Sequence, residues 1–129
     1  MSIQKLVATT GLTVRRTREL RADMIKRLHA RGVPVVVGID AGLNPLAGSR
    51  KFHIGTALLA EAGLSTVETL VAATSAAARV CRLEHRKGLL REGYDADLTV
   101  VDGDLQRDLN ALQSVRMVAL AGQPVHIRS

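Results

Sequence analysis

Residues 32–42 read GVPVVVGIDAG, a run of apolar and β-branched side chains that stops at Asp40, an acid set between Ile39 and Ala41. The run lacks the polar alternation of a strand with one wet face, so it is expected as a short strand covered on both faces, as in parallel sheets. Working backwards, Val14, Leu20, Met24, Ile25 and Leu28 recur at helical spacing. Thr13 can cap the start and Gly32 can stop the end, which predicts an amphipathic helix over residues 14–31. Helix, tight turn and buried strand make half of an α/β unit.

Working forwards, a loop rich in Gly, Asn, Pro and Ser fills residues 41–55, long enough to carry function. A helix over 54–63, closed by Gly63, comes next. A longer helix over 66–83 follows, with Ser65 and Glu68 spaced as a capping box. Gly88 and Gly93 punctuate the next stretch. After them DADLTVVDG, a short helical turn near 105–114, VRMVALAG and QPVHIR predict short strands in a meander rather than further α/β units.

The chain has 129 residues, one domain or part of one. Trp is absent and Tyr and Phe occur once each, so any core is aliphatic. The N-terminus has no basic region leading into a long apolar stretch, and nowhere do about 18 apolar residues run together, so no membrane association is expected and the chain is read as soluble and cytoplasmic. Cys81 is the single cysteine and cannot form an internal disulfide; within AAARVCRL it is expected as a buried or half-buried small apolar residue. The net charge of +6 raises the question of nucleic acid. The basic residues, however, interleave with Glu19, Asp23, Glu84 and Glu92 and have no aromatic residue among them to stack on bases. Solvated helix faces explain them better, and no nucleic-acid partner is expected.

In parallel α/β sheets ligands bind beyond the carboxyl ends of the strands, where Asp40 would stand. An aspartate in a Gly-rich turn can equally serve as a backbone cap, and the residues alone leave both roles open.

Taken together, GVPVVVGIDAG, FHIG, GLSTVETLVAATSAAARV, KGLLREGYDADLTVVDGDL and VRMVALAGQPV resemble, in order, the C-terminal end of metal-dependent amidohydrolases, nearest the imidazolonepropionase-like and prolidase-like members. The resemblance runs from about residue 14 to 125. It implies a (β/α)8 barrel beside a small β-sandwich. Residues 1–95 would be the last barrel units, with VPVVVGI as the eighth strand, and residues 96–129 would be strands of the sandwich.

By the same resemblance Asp40 is the strand-end aspartate, a ligand of a divalent metal, most naturally zinc, and the general base that takes a proton from metal-bound water. His53 matches a loop histidine that can touch substrate, though an exposed loop histidine is as good a reading. His29, His85, His126 and Cys81 match no ligand position, and Asp97 matches a structural residue. Ile39 stands where many relatives carry Thr, with little consequence.

The remaining ligands of such enzymes, a His-x-His pair, a bridging Lys or Glu and two more histidines, come from earlier strands and have no counterpart here. The four histidines at 29, 53, 85 and 126 form no His-x-His pair. The chain is therefore expected to be roughly the last third of an enzyme. It would hydrolyse C–N or ester-like bonds of a small-molecule substrate only when the missing barrel segment is supplied, and alone it would hold no metal and be inactive. The alternative is a non-catalytic remnant that acts through assembly. A strand cut from a barrel leaves an association-prone edge, so a homo-oligomer is expected, with a dimer as the simplest form.

Overall fold

A computed structural model describes residues 13–38 and 52–127. The elements are α1 (Val14–Ala30), α2 (Phe52–Glu61), α3 (Thr66–Ala73), α4 (Ser75–Val80), β1 (Leu98–Val101), a 3-10 turn (Leu109–Gln113), β2 (Val115–Leu120) and β3 (Gln123–Ile127). The fold is α/β, with helices first and a three-stranded antiparallel sheet of order β1-β2-β3 after them.

Local chemistry explains most boundaries. Thr13 caps α1 by accepting the amide of Arg16 at 3.2 Å. At the other end Gly32, at φ +73, lets its own amide reach the His29 carbonyl at 2.9 Å and the Val33 amide reach Leu28 at 3.1 Å. Those two bonds form a Schellman ending, which needs a left-handed residue where Gly32 stands. The same ending closes α2, with Gly63 donating to Ala60 and Leu64 to Leu59. Ser65 and Glu68 form the full capping box that starts α3.

Leu59, Leu64 and Ala72 form a small core, with Ile25, Val35 and Val37 packed against it. α1 touches this core through Ile25 and buries none of its residues. The meander closes by local pairing: Leu98 opposes Ala119, Val100 opposes Met117, and Met117 opposes Ile127. β2 and β3 are joined through Ala121 and Gly122, both at positive φ (48° and 78°), the turn geometry whose twist matches a hairpin. The helices meet the connection between β1 and β2 where Thr66 Oγ1 donates to the Gln106 carbonyl at 2.6 Å.

Four expectations need correction. Residues 33–38 lie outside any strand ladder, and they are covered on one side only: Val35 and Val37 are half-buried against the helices, while Val33 and Val36 are 42% and 37% exposed. β-branched composition favours extension, but a ladder needs a neighbouring strand, and the described residues offer this segment none. The helix expected over 66–83 breaks at Thr74, whose φ of −127° and ψ of −91° are not helical, and ends at Val80. Cys81 is consequently the residue capping α4 and is exposed. The loop expected to run to residue 55 gives way to α2 already at Phe52, which places His53 in the first turn of a helix.

Candidate functional site

Asp40 lies outside the described residues. The structure does describe what leads to its position in the chain. After the Schellman ending of α1, Val35 and Val37 press on Leu59, Leu64 and Ala72, and the Val37 amide donates to the Ala72 carbonyl at 3.3 Å. The segment is thus held by side chains on one face and by one backbone bond three residues before Asp40. The chain is described again from Phe52, where α2 begins.

His53 is half-buried, and its carbonyl accepts the hydroxyl of Thr56 at 2.7 Å. Thr56 is fully buried, so this bond satisfies its hydroxyl and fixes the first turn of the helix. Of the other histidines, His29 pairs with Glu68 at 3.0 Å, and His85 and His126 are exposed. Glu68 also accepts the Ser65 amide and hydroxyl, each at 2.7 Å. These bonds, with the Ser65 hydroxyl first and His29 behind it, hold the Glu68 carboxyl down to a pKa of about 2. The pair ties α1 to α3 and is structural.

A second polar centre went unread in the sequence apart from Asp97. Arg86 donates through two nitrogens to the Asp95 carboxylate at 2.9 and 3.0 Å, and the Asp95 amide returns to the Arg86 carbonyl at 2.8 Å. Lys87 bridges Asp95 and Asp97. Asp97 in turn accepts the Ala121 amide at 2.9 Å, beside a bond from the Gly122 amide to the Ala96 carbonyl at 3.0 Å. Lys87 is the main cause that lowers both carboxyls, with Arg86 second for Asp95 and the Ala121 amide second for Asp97. The two acids, Asp97 first, raise Lys87. The signal in the sequence was the charge spacing in R-K-G-x-x-x-x-G-x-D-x-D, whose turns at Gly88 and Gly93 fold the acids back on the bases. The cluster clips the β2–β3 turn to the preceding loop, which agrees with a structural Asp97.

Among the described residues no three His, Cys, Asp or Glu side chains come together as metal ligands. Among them, too, no helix is long and apolar enough to cross a membrane.

The amidohydrolase family profile matches residues 6–125. No curated protein matches the chain. Among solved structures, the chain resembles a candidate prolidase from Bifidobacterium longum at 29% identity and a TM-score of 0.76, over 92% of this chain and 31% of that one. It resembles an amidohydrolase from Thermotoga maritima MSB8 at 26% identity and a TM-score of 0.69, over 83% of this chain and 26% of that one. A Xaa-Pro dipeptidase with methionine bound in its active site matches at 25% identity and a TM-score of 0.72, over 80% of this chain and 25% of that one. The chain therefore spans between a quarter and a third of the length of these structures. With the profile covering nearly every residue and the helix-to-meander architecture shared with these enzymes, the chain belongs to the amidohydrolase family.

Proposed function

We propose that this chain supplies the C-terminal part of a metal-dependent hydrolase of C–N or ester-like bonds, with Asp40 as a metal ligand and general base and His53 against the substrate. The family match, which spans Asp40 and His53 alike, carries the reading. The likeness to a Xaa-Pro dipeptidase favours a small dipeptide-like substrate.

The described residues do not make a metal site by themselves, and the other donors would come from earlier barrel strands beyond this chain. Asp40 suits the part assigned to it, since one carboxylate oxygen can hold a hard or borderline divalent ion while the other accepts a proton from the attacking water. A bound ion would supply the acidity that makes hydroxide available near neutral pH. In this reading residues 33–39 are the eighth barrel strand, residues 96–129 belong to the sandwich, and the rest of the barrel covers the exposed Val36. A second copy of the chain is the other way to cover that side.

The test measures hydrolysis of Xaa-Pro dipeptides with added zinc, by the chain alone and by the chain mixed with the first seven strand-helix units of a prolidase-like relative. Turnover is expected only in the mixture. It is expected to fall by about 100-fold or more with Asp40→Asn, which keeps the shape but cannot take the proton. Near-normal turnover in that variant would remove Asp40 from the reaction.

A further inference from the structure

The break between α3 and α4 is unusually well furnished for an interruption in an Ala-rich helix. At Thr74 the amide donates to the Val71 carbonyl at 3.2 Å, one residue short of the helical register. Its hydroxyl donates to the Leu70 carbonyl at 2.7 Å and so closes the acceptor that the shortened turn would leave open. In an unbroken helix the Ala72 carbonyl would take the amide four residues on. Here it takes the amide of Val37, at 3.3 Å.

Gly88 braces the break from the other side. At φ +87, a Cβ there would stand 2.8 Å from Ser75 Cα, 2.8 Å from Ala78 Cβ and 3.0 Å from the Thr74 carbonyl oxygen. Only a glycine lets the chain approach so closely.

The consequence falls on the segment that leads to Asp40. Val35 and Val37 fix its sideways position against Leu59, Leu64 and Ala72. Apolar packing of that kind is non-directional and tolerates sliding. The Val37–Ala72 bond is directional and selects one register, and a slip of one residue would turn Val35 and Val37 away from the core.

From this juxtaposition we propose that Thr74 is a positioning residue: the break that it closes presents the Ala72 carbonyl to Val37, and that bond sets the register of residues 33–38, the segment that precedes Asp40 in the chain. The proposal rests on Asp40 being the general base.

The experiment compares the whole chain with Thr74→Val, Thr74→Ser and Gly88→Ala. Amide hydrogen exchange is read at Val37 and at Val33, whose amide is held independently by Leu28. Thr74→Val is expected to speed exchange at Val37 by about 10-fold, near the worth of one hydrogen bond, and to leave Val33 unchanged. Thr74→Ser, which keeps the hydroxyl, is expected to restore wild-type protection. Gly88→Ala displaces the same break and is expected to reproduce the selective loss. In the barrel-complemented mixture, Thr74→Val is expected to lower kcat by about 10-fold with KM little changed, as for a misplaced base.

Wild-type protection of Val37 in both Thr74→Val and Gly88→Ala would overturn the proposal, as would failure of Thr74→Ser to restore it. Unchanged kcat in Thr74→Val, in a mixture where Asp40→Asn has lost turnover, would overturn it too. Turnover that survives Asp40→Asn sinks the assignment of the base instead, and the exchange data still decide the register on their own.

Discussion

Residues 33–38 and the meander of β1 to β3 make an instructive pair. The first is the most strand-like sequence in the chain, four valines in six residues, and it forms no ladder among the described residues. The second is more mixed, with Arg116, Gln123, Pro124 and His126 among its strand residues, and it forms a complete three-stranded sheet. What separates them is where the partner lies in the sequence. β2 and β3 are joined by a two-residue turn, and β1 reaches β2 through residues 102–114, which hold the 3-10 turn, so each strand has its neighbour close by in the sequence. Among the described residues the valine segment is followed only by helices, and none of them brings it a neighbouring strand. Intrinsic β preference reports a fit to a pleated surface, and does not supply that surface.

That contrast can be attacked from both sides. The largest effect is expected at the end of the dependent segment: Asp40→Asn should cost about 100-fold or more in turnover of the complemented enzyme. Asp97→Asn, at the threshold of the self-sufficient sheet, should leave kcat unchanged and loosen only the β2–β3 turn. Equal losses of kcat in the two variants would erase the functional distinction between the regions. Next comes Gly88→Ala, which forces a methyl group against Ser75 and Ala78 at positive φ and should destabilise the chain by about 2 kcal/mol in denaturant unfolding. Its amide-exchange effect should fall on Val37 and spare the β1–β2 ladder; uniform loosening would show that the two regions unfold as one. Ser65→Ala removes the capping box and should cost about 1 kcal/mol, again confined to the helices.

Acid should discriminate in the opposite sense. Asp95 and Asp97 have folded pKa values below the ordinary carboxylate value, so their contribution is complete above about pH 4 and is lost as the pH falls through the lowered values. Lys87, which is raised, contributes below its ordinary value and loses that contribution only in strong base. As the pH falls below the ordinary carboxylate range and through the lowered values, the clip on the β2–β3 turn should open, seen as faster exchange at Ala121 and Gly122. Glu68, held to about 2, should keep α1 tied to α3 until the pH nears that value. A titration in which the Ala121 amide stays as protected in acid as at neutral pH would remove the clip. The smallest expected effect is a gain: Ala121→Asn places a residue that tolerates φ near +48° in the hairpin turn, worth roughly 0.5–1 kcal/mol by thermal melt.

The same contrast governs what could be read before the structure. Thr13, Gly32, Gly63 and the Ser65–Glu68 box act within one helical turn of themselves, so the start of α1, the ends of α1 and α2 and the start of α3 were legible. The meander was legible for the same reason. The break at Thr74 was not, because it depends on Gly88, fourteen positions away, and on Val37 from a different part of the chain. Cys81 was misplaced as a result: in a helix continuing to Leu83 it would lie along a face, whereas at the end of a helix stopping at Val80 it is left at the surface. Of the candidate site, His53 reads from the sequence as a loop residue, and the structure has it on α2. Asp40 lies outside the described residues, and its role rests on the family pattern. The charge spacing of the clip is visible in the sequence but does not decide its pairing, since opposite charges in a turn-rich stretch need not meet.

The buried core has a thermal consequence. Its apolar members among the described residues are Leu59, Ala62, Leu64, Ala72, Ala78 and Ala119, four of the six being alanine. The heat capacity released on unfolding scales with the apolar area newly wetted, and alanines bring little of it. Calorimetry of the chain by itself should therefore show a shallow baseline step and a broad endotherm, and its stability should vary only weakly with temperature between cold and warm conditions. Covering Val33 and Val36 with another strand should sharpen that endotherm and enlarge the step, so the calorimeter would register the arrival of a partner without any assay of catalysis.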